Sequence, residues 1–406
     1  MNVTIQKGRA CGTVSAPPSK SMAHRLLICA GLSPSVSHIN NVDFNEDILA
    51  TIDCLRAFGA ECTIQGDVVT VKGIDPRKSV PSEVLNCRES GSTLRFFIPL
   101  SLLSGKKVTL IGTEKLLSRP LNVYEKLCAE YGFSFVQDSR TVEVSGCLSG
   151  GCFSVPGDIS SQFITGLLFA LPLAGKDSVI KIAPPLESRG YIDLTLQSLH
   201  TFGIRADWLD AFTLEIPGNQ TYAAVDATVE GDYSGAAFFA ALRALGNDVT
   251  VAGLRENSLQ GDKVYEDYFE KLCNGTPTLH IADCPDLGPI LFAVAAAKNG
   301  AVFTGTRRLK IKESDRAAAM AEELAAFGTE VIVEDDTVKV IAKDFHAPTA
   351  ALKGHNDHRI VMSISVLLTR TGGTIKGAQA VRKSFPDFFD RLASLGIEVL
   401  FDETNE

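Results

Sequence analysis

Several things are scarce in this 406-residue chain, and each scarcity closes off a class of function. No apolar run approaches the ~18–20 residues that a bilayer-spanning helix needs. The N-terminus, MNVTIQKGRACGTVS, has no apolar signal-peptide core. We therefore expect a cytoplasmic protein with no membrane partner. No CxxC pair occurs. The ten cysteines are scattered, and the closest two, Cys147 and Cys152, flank Leu-Ser-Gly-Gly. Reduced thiols are expected, and neither a disulfide framework nor a zinc site. Positive charge is not in excess: 39 Lys and Arg face 48 Asp and Glu, a formal net charge of −9. Such a chain is a poor candidate for nonspecific binding to nucleic acid, although local cationic pockets remain open to it.

What is present is an ordinary globular mixture, 45% hydrophobic and 21% charged. The length exceeds what one hydrophobic core usually serves, so two or more domains are expected. A repeat organises the chain. Apolar helices with polar openings begin near Ser19, Glu89, Asp158, Gly231, Asp283 and Asn356. The spacing is roughly 70 residues, except between Gly231 and Asp283, where it falls to about 52. Each first helix is followed by a strand, a polar loop, a second helix and an alternating β-hairpin. DCLRAFGAECTIQGDVVTVKG from Asp53 and AEELAAFGTEVIVEDDTVKVIA from Ala321 share this frame.

The first helices are apolar nearly all round and should be buried, with the second helices outside them. The fourth unit lacks most of its hairpin. The sixth stops one strand into its own, at LGIEVLF. The first 18 residues look like its missing second strand and lead-in. Two three-repeat domains follow, residues 19–229 and residues 1–18 with 230–406. The fourth unit, being truncated and away from the motifs, is expected to spare catalysis.

Helix N-termini present free N–H groups and a positive dipole end, so they favour anions. Lys20, Ser21 and Arg25 open the first helix, and Gly91, Ser92 and Arg95 the second. Ser160, Ser161 and Gln162 open the third, Asp286 the fifth, and His358 with Arg359 the sixth. Taken singly, each Ser or Asp reads as a helix cap and each Arg as a structural ion pair. Recurrence at equivalent positions favours phosphate and carboxylate binding. Glu313, between Lys312 and Arg316, suits acid/base work, or merely a helix-start carboxylate.

PSKSMAHR, ESGSTLRF, SRP, SSQF, SRGYID, PDL, KESDR, NDHR and KSFPDF follow one another in order along the chain. Together they closely resemble the EPSP synthase (3-phosphoshikimate 1-carboxyvinyltransferase) family of enolpyruvyl transferases, over essentially the whole length. The resemblance implies an α/β fold of two domains, each of three βαβαββ repeats with buried parallel helices, and an active site in the cleft between them. It implies transfer of the enolpyruvyl group of phosphoenolpyruvate to the 5-hydroxyl of shikimate 3-phosphate. Phosphate is released, no metal or organic cofactor is used, and the product leads to chorismate and aromatic amino acids. A monomer is expected.

The same resemblance assigns residues. Lys20, Ser21, Arg25, Ser160, Ser161, Gln162, Ser188, Tyr191, Asp286 and Lys312 would bind shikimate 3-phosphate. Lys20, Gly91, Arg119, Gln162, Arg316, Arg359 and Lys383 would hold phosphoenolpyruvate. Glu313 would donate a proton to C3 and Asp286 would take one from the hydroxyl. Lys20 would assist as electrostatic stabiliser or proton shuttle. Two polyanions sharing one site require several cations to offset their repulsion. Glu89 and Arg308 depart from the family pattern, and Arg308 is expected to offer an extra phosphate contact. The sister family, UDP-N-acetylglucosamine enolpyruvyl transferase, carries a loop cysteine just before its Arg-Pro. No cysteine occurs here between Cys87 and Cys128. A non-catalytic metabolite sensor is the remaining rival, disfavoured by the intact set of Lys20, Asp286, Glu313 and Lys383.

Overall fold

The computed structural model describes residues 1–78 and 84–402. Six units built on one plan account for them. In the second unit a lead-in strand, Val84–Asn86, runs parallel to Val108–Ile111, which pairs antiparallel with Thr141–Ser145. Ser134–Gln137 closes the sheet as its outer hairpin strand. Alternation aims Leu85, Leu110, Val142 and Val144 inward, each no more than 1% exposed. The crossover from lead-in to central strand is the helix Gly91–Ser101, buried along its whole length except Ser92. Asn122–Tyr131 packs outside it and buries only Val123, Tyr124, Leu127 and Cys128. The third and fifth units repeat this four-stranded order.

The inner helices bury nearly every residue because their sequences are apolar on all faces. Gly288–Ala297 is the extreme case, buried from Gly288 to Ala296. The outer helices bury one stripe each. Contacts divide the chain into two compact units, Lys20–Glu230 and Met1–Ser19 with Gly231–Glu406, each with its own hydrophobic core.

Two strands are exchanged along the chain. Asn2–Ile5 lies between Gly373–Lys376 and Val399–Asp402, antiparallel to both, and so completes the sixth unit's hairpin. The next strand, Cys11–Ser15, does not belong to that sheet, contrary to the expectation that all 18 leading residues complete the sixth unit. It runs parallel to Asp248–Ala252 and serves as the fourth unit's lead-in. The segment before the fourth helix, Ala227–Thr228, pairs instead with Val36–Asn40 of the first unit. The exchange is pinned where the chain passes between units. Pro18 bridges Gly231, and Asp232 N–H donates to the Pro17 carbonyl at 2.7 Å. A Cβ on Gly231 would lie 2.4 Å from the Gly253 carbonyl oxygen, so only glycine fits there.

Candidate active site

In the unit Lys20–Glu230 the expected ligands fall on the openings of three inner helices. Lys20 Nζ reaches Asp47 Oδ2 at 2.8 Å; Asp47 sits in the first turn of the outer helix Glu46–Phe58. Arg25, 3% exposed, donates to Thr195 Oγ1 at 2.9 Å, the Tyr191 carbonyl at 2.9 Å and the Ser21 carbonyl at 2.6 Å. Its guanidinium lies 5.8 Å from the Phe96 ring centre and 5.9 Å from that of Tyr191. Burial pushes the Arg25 pKa down to about 10, which leaves it charged at neutral pH. Ser188 adopts a left-handed backbone, φ 58°, and its carbonyl accepts from Tyr191 N–H at 3.1 Å. Ser21, Arg25, Ser188 and Tyr191 are thus one connected group.

A second group in this unit surrounds Gly91. A Cβ there would lie 2.6 Å from Arg119 Nη1 and 3.3 Å from Arg95 Nη1, so two guanidinium groups crowd the start of this helix. Arg95 donates to Gln162 Oε1 at 2.7 Å and to the Pro120 carbonyl at 3.2 Å. Gln162 in turn donates from Nε2 to Ser92 Oγ at 2.9 Å. The Ser160 hydroxyl accepts from Gln162 N–H at 3.3 Å, which caps the helix and leaves its own proton for a ligand. Ser161 is 7% exposed on the first turn. Arg25, unlike Lys20, rests on neutral acceptors.

The other unit is arranged differently. Asp286, in the turn Pro285–Leu287 that opens the fifth inner helix, is held by three cations. Lys312 Nζ lies at 3.1 Å, Arg316 Nη1 at 2.8 Å and Arg359 Nη2 at 3.1 Å. Arg316, 1% exposed, also donates to Glu313 Oε2 at 2.5 Å and to Asp357 Oδ2 at 2.9 Å. Arg359 extends from Asp286 to Ser234 Oγ at 2.8 Å. Lys383 Nζ donates to the Asn356 carbonyl at 2.9 Å. The structure therefore joins Asp286, Lys312, Glu313, Arg316 and Arg359 into one network, with Lys383 bonded to the turn that carries Asp357.

Charge states follow from these partners. Burial opposes ionisation of Asp286, but Arg359, Lys312 and Arg316 outweigh it and hold the carboxyl well below the ordinary range. Lys312 is pushed down to about 8, first by burial; Asp286 opposes the shift, and Arg316 and Arg308 add to it. Arg308 itself is 7% exposed and donates from Nη2 to the Ala282 carbonyl, so its contact here is with the backbone.

Two features escape a reading of the sequence. Asp47 and Asp357 are counter-charges that look like ordinary helix-start residues. Arg95, expected from the sequence at the opening of the second helix, joins the Gly91 group. The truncated fourth unit is not remote: Ser234 bonds Arg359, and Asp262, 2% exposed, lies in the field of Asp286 and Arg359. Burial pushes the Asp262 carboxyl up to about 6, with the charge of Asp286 adding to it. The missing hairpin belongs to the outer part of the unit, whereas its helix opening stays with the site.

Among the described residues no helix is long and apolar enough to cross a membrane, and the ten cysteines are free thiols. The model of the EPSP synthase (3-phosphoshikimate 1-carboxyvinyltransferase) family matches residues 5–392. The chain is 39% identical to the 3-phosphoshikimate 1-carboxyvinyltransferase of Clostridium kluyveri, with 98% of each chain covered. It is 36% identical to that of Clostridioides difficile, covering 100% of this chain and 99% of the other. Its fold matches the EPSP synthase from Acinetobacter baumannii with a TM-score of 0.80 at 22% identity, over 99% of this chain and 100% of that one. The enolpyruvyl transferase NikO from Streptomyces tendae matches at 0.79 and 13% identity, over 98% of both chains. With a family match along nearly its whole length and relatives of this identity, the chain belongs to the EPSP synthase family.

Proposed function

We propose that this chain transfers the enolpyruvyl group of phosphoenolpyruvate to the 5-hydroxyl of shikimate 3-phosphate, giving 5-enolpyruvylshikimate 3-phosphate and phosphate, as a cytoplasmic monomer. Beyond family membership, the observation that carries the reading is Arg316. One buried guanidinium bonds both carboxylates assigned to the proton steps, Asp286 at 2.8 Å and Glu313 at 2.5 Å. An ion pair favours the charged carboxylate. Bound in this way, Asp286 is too weakly basic to take a proton from a hydroxyl, and Glu313 is held against being protonated.

The substrates carry the groups that change this. The phosphate and carboxylate of phosphoenolpyruvate compete for Arg316 and Arg359, and the 3-phosphate competes for Lys312. Each cation drawn off weakens the hold on Asp286 and Glu313. Asp286 then accepts the 5-hydroxyl proton as oxygen attacks C2, and Glu313, which takes up a proton from solvent once Arg316 is drawn off, delivers it to C3. In the second half, Glu313 takes a proton back from C3 as the C2–O bond to phosphate breaks, and phosphate leaves with the proton that Asp286 had accepted. Lys20, Ser21, Arg25, Ser160, Ser161, Gln162, Ser188 and Tyr191 bind shikimate 3-phosphate. Gly91, Arg119 and Lys383 join Lys20, Gln162, Arg316 and Arg359 around phosphoenolpyruvate. Steady-state phosphate release tests the reading: it is expected only when both substrates are supplied. Release with UDP-N-acetylglucosamine in place of shikimate 3-phosphate, or none with either, contradicts it.

A further inference from the structure

The turn that carries Asp357 is gripped by two residues that have no part in the chemistry above. Asp357 N–H donates to the Gly354 carbonyl at 2.9 Å and closes a four-residue turn. Its two central residues, His355 and Asn356, have φ of 50° and 52°. Both are left-handed, an arrangement that glycine, asparagine and aspartate usually fill. Histidine is among the non-glycine residues that adopt this backbone more readily than most, and its ring remains available for use elsewhere. Its ring is used: Nε2–H donates to Glu323 Oε1 at 2.6 Å. The second oxygen of Glu323 accepts from Lys353 N–H at 3.0 Å, so one 4%-exposed carboxylate grips the chain on both sides of Gly354.

Glu323 stands on the helix Arg316–Ala325, whose first residue already bonds Asp357. That helix holds the turn at two points, Arg316 to Asp357 and Glu323 to His355. The turn then presents the Asn356 carbonyl to Lys383 and the Asp357 carboxylate to Arg316.

We infer that Glu323 and His355 form a strut that fixes this turn, and through it Arg316 and Lys383, so that both are positioning residues for phosphoenolpyruvate. The inference rests on the function proposed above. Glu322 lies beside them, its Oε2 3.9 Å from His355 Nε2. Glu322, Glu323 and His355 are close enough together to suggest a metal seat. The Lys353 ammonium occupies Glu322 Oε1 at 2.7 Å, and the Lys353 N–H and His355 occupy Glu323, so the donors are already engaged in holding the turn.

His355→Gly separates positioning from folding, because glycine suits the left-handed backbone and the variant should lose the strut without losing its thermal midpoint. The KM for phosphoenolpyruvate should rise about fivefold or more, the size of one lost coupling contact, while that for shikimate 3-phosphate stays within about twofold. Glu323→Gln should move the same constant in the same direction. The double variant should be no worse than the larger single effect, because both residues act through one contact. An unchanged phosphoenolpyruvate KM overturns the strut. So do parallel rises in both KM values with a fallen midpoint, or wild-type activity that a chelator removes. A wild type that releases no phosphate with the two substrates overturns the proposed function as well; an active wild type beside a normal His355→Gly overturns the strut alone.

Discussion

The two units of this molecule bring cations to their helix openings in opposite electrostatic states. In Lys20–Glu230, Arg25 and Arg95 rest on carbonyls, a hydroxyl and an amide, all neutral. In the other unit, Arg316 faces Asp286, Glu313 and Asp357, and Lys312 and Arg359 share Asp286. In the first arrangement Arg25 bonds no carboxylate, so in the proposed reaction an arriving anion meets its charge without displacing one. The second is internally compensated, so an arriving anion must displace the protein's own carboxylates. Under the proposed function the difference teaches what each half contributes: the first supplies attraction, and the second supplies acid and base whose proton affinity changes when substrate takes their partners.

The largest expected effect is on turnover. Glu313→Ala should lower kcat by about 10²–10⁴, the usual contribution of one general acid or base, and change the substrate KM values far less. An unchanged kcat would remove Glu313 from the acid role and leave the compensated half without a proton donor.

Stability sharpens the comparison next. Arg316→Met strands Asp357, which is 0% exposed, and should cost about 3–5 kcal/mol in denaturant unfolding. Arg25→Met leaves only neutral acceptors behind and should cost less, about 1–3 kcal/mol. Equal losses would mean that the two halves are not electrostatically distinct.

A smaller effect should appear in the pH profile. Burial pushes the Lys312 pKa down to about 8, and only the protonated form carries the charge that attracts a phosphate. As pH rises through that value, kcat/KM for shikimate 3-phosphate should fall, approaching tenfold per pH unit. Replacing Lys312 with Arg, which stays charged, should flatten this limb. A fall at the same pH in Lys312→Arg would assign the limb to another group.

Much of this was legible in the sequence for a simple reason. A charge or glycine at the opening of an all-apolar helix is conspicuous, and six similar units made the positions comparable. Lys20, Arg25, Gly91, Asp286 and Arg359 all stand out in that way. Their counter-charges do not. Asp47 and Asp357 sit where helices begin, and an acid there is the commonest of caps. Ser234 and Asp262 belong to a unit whose missing hairpin suggested a degenerate repeat. The loss, however, affects the outer strands and leaves the helix opening in place. The exchanged strands Cys11–Ser15 and Ala227–Thr228 were also unreadable. Alternation tells which residues face inward, but not which sheet a short strand joins.

The central claim is that Asp286 competes with substrate anions for Lys312, Arg316 and Arg359. Asp286→Asn keeps the shape and removes the competing charge. Equilibrium binding of phosphoenolpyruvate alone, to this variant and to the wild type, tests the claim most directly. The account predicts binding about threefold or more tighter than in the wild type, since roughly 0.7 kcal/mol or more of competition is removed, together with a fall in turnover. Weaker binding in Asp286→Asn would contradict it.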